Sequence, residues 1–282
     1  MPPVFSLLVA PAGKVCDDGG ADARWPLLGA GAREKEAGGG WEDDVQQRIA
    51  EGKVSAQRRA VANAFDRQAA AYDRWFEENP LYLAELACLR RFQEKWPAPR
   101  LEIGVGPGRF AQALGIRFGV DLAMAPLRLA RGRGVLACRA AGEALPFAAR
   151  SFATVALLFT WCFLAAPALV LAEARRVLRP AGVLALAIIP PFGPAGRHVR
   201  QRRTAGHPLY RHAQLQEPQA VLALIAESGF TVEEVCSVLA VEAAADTARY
   251  EEGCVAGIQE QAVCLIVAAR RENLTNRPAG AI

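Results

Sequence analysis

The chain has 282 residues, of which 52% are hydrophobic, and a formal net charge of +4. This length suffices for one large domain with a full hydrophobic core, and so mild a positive charge does not by itself indicate a nucleic-acid partner. The seven cysteines are scattered, with no C-x-x-C pair. This pattern argues against a zinc knuckle and a disulfide framework, and it predicts free thiols in a reducing, cytoplasmic environment.

Residues 1–54 differ in composition from the rest of the chain. They are rich in glycine, including Gly38-Gly-Gly40, and show no sustained helical or strand period. We expect this tail to be disordered, because it offers too little apolar surface to offset chain entropy. The alternative is an over-called start, with translation beginning at Val54. The apolar run Val4–Ala10 is short and follows no Lys or Arg, so we do not expect a signal peptide.

Residues 56–96 are predicted to be helical. Apolar side chains recur there at spacings of three and four residues: Val61, Phe65, Ala69, Tyr72 and Phe76. Pro80 divides the segment into two helices, because proline is tolerated only in the first turn of a helix.

From residue 101 onward, short apolar runs alternate with helical patterns. The predicted strands are Leu101–Ile103, Arg117–Asp121, Val135–Cys138, Phe152–Phe159 and Val183–Ile189, and two closing strands follow at Thr231–Leu239 and Ala262–Ala269. The predicted helices are Phe110–Leu114, Pro126–Arg131, Ala168–Leu178 and Glu217–Gly229. Such alternation predicts an α/β fold with a parallel sheet wound by right-handed crossovers.

The segment Val155–Ala172 is almost wholly apolar, as in a membrane-spanning helix. Pro167 interrupts it, and a buried parallel strand followed by a core-facing helix gives the same hydropathy. We therefore predict no membrane partner. Arg175, Arg176 and Arg179, on the helix that follows, are expected to form a solvated face.

A glycine turn follows the first predicted strand. The sequence Leu101-Glu-Ile-Gly-Val-Gly-Pro-Gly-Arg-Phe110 has the spacing G-x-G-x-G, whereas the dinucleotide fingerprint is G-x-G-x-x-G and would need glycine where Arg109 stands. The next strand ends on Asp121, which is placed to accept both hydroxyls of a ribose. This combination favours S-adenosylmethionine over NAD as the bound cofactor.

From about Phe65 onward the chain resembles the small-molecule class I methyltransferases, of the type 11-like group that includes the quinone-biosynthesis C-methyltransferases. The matching segments, in order, are Ala71–Phe76, Leu101–Phe110, Asp121, Glu143–Phe147 with Ser151-Phe152, and Glu173–Gly182. The resemblance implies a Rossmann-like, seven-stranded, mostly parallel sheet with helices on both faces and an antiparallel edge hairpin. It also implies one methyltransferase domain over residues 55–282, with residues 56–96 as a helical lid.

The same resemblance implies S-adenosyl-L-methionine as cofactor. The residues expected to bind it are Tyr72, Glu102, Gly104, Gly106, Gly108, Asp121, Leu122, Glu143, Ala144 and Phe159. Glu102 is expected either to support the glycine turn or to reach the cofactor's amino group. The chain departs from the family at Ala141 and Ala153, where acids are usual. The first departure leaves adenine recognition to Glu143, to backbone amides or to packing.

The candidate acceptor-binding segment lies after the fifth predicted strand. It contains all three histidines of the chain, His198, His207 and His212, together with Tyr210 and several arginines, and residues 193–216 include no acid. We expect a lid that binds an acceptor which is anionic or must lose a proton, with a neutral imidazole as general base. The alternative is a solvated basic loop. The histidine spacing matches no recognised metal site, so no metal is expected.

The sequence therefore predicts methyl transfer from S-adenosylmethionine to a small-molecule acceptor. Three other functions remain open: an NAD-type oxidoreductase, an RNA methyltransferase drawing on the arginine-rich segment, and a non-catalytic cofactor-binding protein. No added RNA-binding module is recognisable, so a nucleic-acid partner is not expected.

Overall fold

The computed structural model describes residues 41–77, 79–241, 249–250 and 254–272. The helices in these ranges are α1 (Trp41–Trp75), α2 (Pro80–Gln93), α3 (Arg109–Ala113), α4 (Met124–Gly132), α5 (Pro167–Val177), α6 (Pro194–Thr204) and α7 (Pro218–Glu227). The strands are β1 (Arg100–Ile103), β2 (Phe118–Asp121), β3 (Leu136–Arg139), β4 (Phe152–Leu158), β5 (Leu178–Ile188), β6 (Phe230–Val241), β7 (Arg249–Tyr250), β8 (Val255–Ala256) and β9 (Ala262–Arg271).

The strands form one mixed sheet in the order β3-β2-β1-β4-β5-β9-β6-β7, with β8 also paired to β6. β1 to β5 are parallel to one another, while β9 is antiparallel to both β5 and β6. The predicted Rossmann-like sheet and its antiparallel hairpin are confirmed. β7 and β8 are two short additions that the sequence did not indicate. The strand order reverses between β1 and β4, where open α/β sheets bind ligands.

Helices cover both faces of this sheet, because the central strands are apolar on both sides. Val155 and Leu157 of β4 pack into one buried cluster with α5 and α7. Ala156 and Leu158, the alternate residues, pack into a second cluster with α2, α3 and α4. The apolar segment that resembled a membrane span is thus β4, entirely buried, followed by a short 3-10 turn and α5. No helix among the described residues is long and apolar enough to cross a bilayer.

The N-terminal helical segment is longer than predicted. Pro80 occupies the first turn of α2, and the Asn79 Oδ1 atom caps that helix by accepting from the N–H of Leu81 at 3.0 Å. However, α1 begins at Trp41, so the expectation of disorder is wrong for residues 41–54. Residues 41–51 contain no glycine or proline and consist largely of residues that tolerate a helix. The rest of the tail, residues 1–40, lies outside the described residues.

The cysteines do not all remain free thiols. Cys88 of α2 is bonded to Cys254, just before β8, with the two Cα atoms 5.4 Å apart. The expectation that the cysteines are reduced is therefore wrong for this pair. The cysteine pattern accordingly gives less support to a reducing compartment. Among the described residues, four further cysteines are buried and form no disulfide: Cys138, Cys162, Cys236 and Cys264.

Candidate active site

The glycine turn after β1 has a left-handed backbone. Gly104, Gly106 and Gly108 have φ values of 75°, 50° and 78°, a region that residues with a Cβ rarely adopt. A Cβ on Gly104 would also overlap the side chain of Thr160, which follows β4. Glycine is therefore required here both for the turn and for the close approach between β1 and the segment after β4.

Asp121, the last residue of β2, stabilises this turn through hydrogen bonds. Its Oδ2 atom accepts from the N–H of Gly106 and its Oδ1 atom from the N–H of Ala123, both at 2.9 Å. Burial raises the pKa of Asp121, although the hydrogen bonds from Ala123 and Gly106 oppose that shift. A carboxylate has about four acceptor positions, so Asp121, which also lines the cavity described next, keeps acceptor capacity beyond these two bonds.

A cavity of about 790 Å³, which includes its mouth open to solvent, lies over the carboxyl ends of β1, β2 and β4. Seven of the residues predicted to bind cofactor line it: Tyr72, Gly104, Gly106, Asp121, Leu122, Glu143 and Phe159. The N-terminal helix α1 contributes one wall through Arg58, Val61, Ala62 and Phe65. Phe159 has a φ of 57°, an unusual conformation for a bulky residue, and such outliers are concentrated at functional sites.

Three predicted cofactor residues do not line the cavity. Gly108 packs against α4, where a Cβ would lie 2.9 Å from the Cα of Ala130, and the N–H of Ala144 donates to the carbonyl of Ala141 in a turn. Glu102 is buried beneath the glycine turn, and its Oε2 atom has no hydrogen-bond partner among the described residues. Burial, together with the charge of Asp121, raises the pKa of Glu102 well above its ordinary range.

At the end of the cavity where adenine is expected, small residues surround one carboxylate. Ala140 and Gly142 line the wall on either side of Ala141, the position at which the family usually has an acid. The buried Glu143 carboxylate lies 3.5 Å from the guanidinium of Arg58. Arg58 therefore joins α1 to this end of the cavity.

A charged cluster attaches the C-terminal end of α1 to the glycine turn. Asp73 accepts two hydrogen bonds from Arg109, at 2.8 and 2.9 Å, and one from Arg133 at 2.8 Å. Arg133 also donates to the carbonyl of Pro107, within the turn, at 2.8 Å. Burial of Asp73 would raise its pKa, but the hydrogen bonds from Arg109 and Arg133 outweigh burial, and the pKa is lowered.

A second charged pair fixes the Glu143–Phe147 loop against α5. Glu173 accepts from Arg176 and also from the N–H of Leu145, each at 2.7 Å. Arg176 in turn donates to the carbonyls of Phe147 and Leu145. The expectation of a solvated arginine face is thus wrong for Arg176, while Arg179 is exposed as predicted. Two of the matched sequence segments are held together by this pair.

The four acceptor-side candidates do not line the cavity. His198 lies on α6, a helix that the sequence did not predict because few of its residues are apolar and buried. His207 Nδ1 accepts from the N–H groups of Leu209 and Tyr210, both at 3.3 Å, and its ring stacks on Tyr210. Burial, followed by Arg202 and His198, lowers the pKa of His207.

The remaining two candidates form one 3-10 turn, Tyr210–His212. Burial, followed by the charges of Arg211 and Arg67, lowers the pKa of His212. Tyr210 is half-buried and packs against the small apolar cluster of Cys162, Val199 and Ala213. Within the described residues, no group of three or more His, Cys, Asp or Glu side chains is arranged to hold a metal ion.

Sequence reasoning missed Glu85. This residue lies on the buried face of α2, between Tyr82 and Cys88, and is 5% exposed. Burial raises the pKa of Glu85 well above its ordinary range, and its charge raises the pKa values of Tyr72, Tyr210 and Cys264. Its position three residues from both Tyr82 and Cys88, on one helix face, was the available signal.

Comparison with known proteins gives a consistent set of similarities. A family model for a methyltransferase domain matches residues 101–186, from β1 to β5. An uncharacterized protein of Mycobacterium tuberculosis is 42% identical over 178 residues, 62% of this chain and 62% of that protein. The aligned part thus spans less than two thirds of the mycobacterial relative. An uncharacterized protein of Methanocaldococcus jannaschii is 33% identical over 169 residues, 60% of this chain and 81% of that protein.

A solved structure is similar over a larger share of the chain. It is a protein of Thermotoga maritima described as an S-adenosylmethionine-dependent methyltransferase and possible histamine N-methyltransferase. It superimposes with a TM-score of 0.68 at 27% identity and covers 75% of this chain and 100% of its own.

Proposed function

The chain belongs to the class I S-adenosylmethionine-dependent methyltransferases, and we propose that it transfers the activated methyl group of this cofactor to a small-molecule acceptor. The observation that carries the proposal is the Asp121 carboxylate, which fastens the glycine turn through Gly106 and lines the cavity. A carboxylate there suits the two ribose hydroxyls of an adenosine.

The residues present fit the cofactor. Asp121 would accept hydrogen bonds from the ribose, and Leu122, Ala140, Gly142 and Glu143 would enclose the adenine. The glycine turn permits the amino-acid end to approach the backbone, because Gly104 and Gly106 carry no side chain. When bound, the cofactor supplies the activated methyl group on a positively charged sulfur.

The chain's own contribution is alignment and the exclusion of water. Helix α1 forms a wall of the cavity, and its Phe65 and Tyr72 rings pack edge to face, with their centroids 5.3 Å apart. Phe163, after β4, packs against Phe65 at 5.1 Å. Such an aromatic enclosure holds two reactants in contact and away from solvent, which is the main requirement for an in-line displacement.

The enclosed geometry favours a small molecule over RNA. The arginines at positions 197, 200, 202, 203 and 211 are exposed and do not line the cavity. Their expected role in binding an anionic acceptor therefore has no support from the geometry of the cavity. The histidines of the same segment lie outside the cavity lining as well, so the proposal assigns none of them as the catalytic base.

Calorimetric titration and a transfer assay test the proposal together. We expect S-adenosylhomocysteine to bind the purified chain and NAD to give no binding heat. We also expect radiolabel from the methyl group of S-adenosylmethionine to appear in a member of a small-molecule panel and not in RNA. Binding of NAD alone would indicate an oxidoreductase, and salt-dependent transfer to RNA would indicate an RNA methyltransferase. Binding of S-adenosylhomocysteine without transfer to either would indicate a non-catalytic protein.

A further inference from the structure

Two side-chain hydroxyl groups in the cavity wall have no hydrogen-bond partner. Tyr72, from α1, and Thr160, from the segment after β4, both line the cavity. Neither hydroxyl takes part in a hydrogen bond with any residue that the structure describes. Burial raises the pKa of Tyr72, so its phenol stays protonated and able to donate. Since polar groups inside a protein are nearly always hydrogen-bonded, both hydroxyls are available to a bound molecule.

The backbone places the Thr160 side chain beside the glycine turn at a cost. Phe159, the residue before it, has a φ of 57°, which a bulky residue adopts only with strain. The Thr160 side chain occupies the space that a Cβ on Gly104 would fill, and its Oγ1 atom is the one nearest to that position. Glycine at position 104 therefore makes room for this hydroxyl. Strain retained at a cavity is typical of a residue that binds a ligand.

Aromatic rings connect the two hydroxyl-bearing residues. The N–H of Phe163 donates to the carbonyl of Thr160 at 2.9 Å. The Phe163 ring packs against Phe65 at 5.1 Å, and Phe65 packs against Tyr72 at 5.3 Å. Tyr72 in turn lies at the glycine turn, since its Cε1 atom is 3.9 Å from the position of a Cβ on Gly106. Phe65, Tyr72, Thr160 and Phe163 thus form one continuous part of the cavity wall, here called the aromatic patch.

The aromatic patch has no charged side chain. Among the described residues, the charged side chains that line the cavity are Arg58, Asp121 and Glu143. Arg58 pairs with Glu143, and Asp121 holds the glycine turn and is the proposed partner of the ribose. A permanently charged acceptor would lose its hydration at the patch without gaining a partner. An acceptor that needs a protein base to remove its proton would find none there.

We propose that the aromatic patch is the acceptor subsite and takes an apolar thiol, which is methylated on sulfur. This inference rests on the proposed function, because it names an acceptor for the same cavity. A thiol can lose its proton to water close to neutral pH, and its sulfur is a strong nucleophile, so no protein base is required. An alcohol would require one, and an ammonium ion would be repelled by the positive sulfur of the cofactor.

The transfer needs no proton acceptor inside the cavity. The proton of the thiol passes to solvent through the open mouth, and the hydroxyls of Tyr72 and Thr160 donate to the thiolate, which favours its charged form. A lone pair of the thiolate sulfur forms the new S–CH₃ bond. The C–S bond of the cofactor breaks, and its electron pair stays on the cofactor's sulfur. The negative and positive charges cancel, so both products are neutral thioethers.

Matched acceptors test the assignment. Phenethyl mercaptan, phenethyl alcohol, phenethylamine and hydrocinnamate share one ring and differ in the polar end, and hexanethiol, hexanol, hexylamine and hexanoate form an aliphatic set. Each is supplied with S-adenosylmethionine labelled in its methyl group, and the rate without protein is subtracted. At about pH 7 we expect at least one thiol to be methylated about 100-fold or more faster than its alcohol, amine and acid counterparts, because it ionises without a base.

The two hydroxyls are tested by combining Tyr72→Phe with Thr160→Val, which nearly keeps both shapes and removes both donors. Losing the donors raises the pKa of the bound thiol. We therefore expect kcat with the thiol to fall about tenfold or more at about pH 7, and the deficit to shrink as the pH rises. A merely structural role would lower kcat by one factor at every pH. Tyr82→Phe is the matched control and should keep the unmodified pH profile, because the Tyr82 hydroxyl donates to the carbonyl of Arg109 and Tyr82 does not line the cavity.

A binding measurement examines the same contact without turnover. Sinefungin is a cofactor analogue that carries an amine, and hence a positive charge, where the cofactor has its methylated sulfur. Phenethyl mercaptan is added at about pH 7 to the chain loaded with sinefungin, and the ultraviolet absorbance of the thiolate is recorded. We expect more thiolate than in the same solution without protein, and we expect this excess to be lost in the double variant.

The outcomes separate the two proposals. Failure of the unmodified chain to bind S-adenosylhomocysteine would overturn the proposed function. If S-adenosylhomocysteine binds but no thiol is methylated faster than its counterparts, only the acceptor assignment is wrong. The same holds if the double variant loses activity equally at every pH or keeps the thiolate absorbance.

Discussion

Asp73 and Arg109 form a two-point ion pair, with Asp73 Oδ1 2.8 Å from Arg109 Nε and Asp73 Oδ2 2.9 Å from a terminal guanidinium nitrogen. Arg109 is the first residue of α3 and follows Gly108 directly. The pair therefore joins α1 to the glycine turn that we propose receives the cofactor. It also gives a structural reason for arginine at the position where a dinucleotide fingerprint would have glycine.

Replacing Asp73 with Asn should weaken both folding and cofactor binding. Asn cannot serve two guanidinium groups as a charged acceptor, and a loss of about 1–3 kcal/mol in unfolding free energy is expected for a partly buried pair of this kind. Affinity for S-adenosylhomocysteine should fall several-fold, because α1 forms a wall of the cavity. Urea unfolding and calorimetric titration measure the two effects. The exposed Glu77, which also accepts from Arg109, provides the control Glu77→Gln, and an equal loss in both variants would contradict this role for Asp73.

The Asp73 contribution should depend on pH in a definite direction. The native pKa of Asp73 lies below the ordinary value of 3.8, so its contribution is fully present above the unfolded pKa. It is lost as pH falls through the native pKa. The difference in unfolding free energy between the unmodified chain and Asp73→Asn should be constant from about pH 7 to pH 5 and shrink below about pH 4. If this difference in unfolding free energy instead shrinks as the pH rises, a group other than Asp73 causes it.

Asp121→Asn should remove most of the cofactor affinity. The amide keeps one oxygen for a backbone N–H but loses the charge and half of the acceptor positions, so affinity for S-adenosylhomocysteine should fall about 10- to 100-fold, or ~1.5–3 kcal/mol. Asp66 is the matched control, since its Oδ1 atom accepts from the N–H of Ala125 at 2.7 Å but it does not line the cavity. Equal losses in Asp66→Asn and Asp121→Asn would show that only local folding was disturbed.

Most of the sheet could be predicted because its signals are local. The strands that become β1, β4 and β5 are short apolar runs, and Pro80 marks the start of α2 within the predicted helical segment. The position of Asp121 beside the glycine turn could also be predicted from the sequence, because the carboxyl ends of two adjacent parallel strands lie at one edge of the sheet. Helix α6 was missed because its sequence is polar around nearly the whole circumference and provides no apolar period.

The parts of the site that were not predicted depend on contacts between distant segments. Asp73 pairs with Arg109, 36 residues away in sequence, and with Arg133, 60 residues away. A single sequence gives no information about such long-range pairs. Glu85 is similar, because its burial becomes visible only when α2 is packed against the sheet. The acceptor side was therefore sought in the histidines, whose residue type suggests chemistry, although they do not line the cavity.

Gly108 and Gly134 allow the packing role of the glycine turn to be measured. Both have a positive φ, 78° and 82°, so alanine at either position carries a similar backbone cost of roughly 1–2 kcal/mol. A Cβ on Gly108 would meet Ala130 at 2.9 Å, whereas a Cβ on Gly134 would meet nothing within 4 Å. Gly108→Ala should therefore lose about 1–3 kcal/mol more unfolding free energy than Gly134→Ala in urea titrations. Equal losses in the two variants would mean that α4 shifts freely away from the turn.

The bond between Cys88 and Cys254 should stabilise the fold, because it closes a loop over a sequence separation of 166 residues. Restricting the unfolded chain in this way contributes roughly 2–5 kcal/mol. A reductant should thus lower the melting temperature of the unmodified chain by several degrees or more and leave Cys254→Ser unaffected. Cys254→Ser without reductant should have the same melting temperature as the reduced chain.

Thiol labelling under denaturing conditions provides the chemical check, since the bonded pair should react only after reduction. Labelling of Cys88 without reductant, or an equal response of the Cys254→Ser variant to reductant, would show that this bond does not hold α2 to the segment before β8.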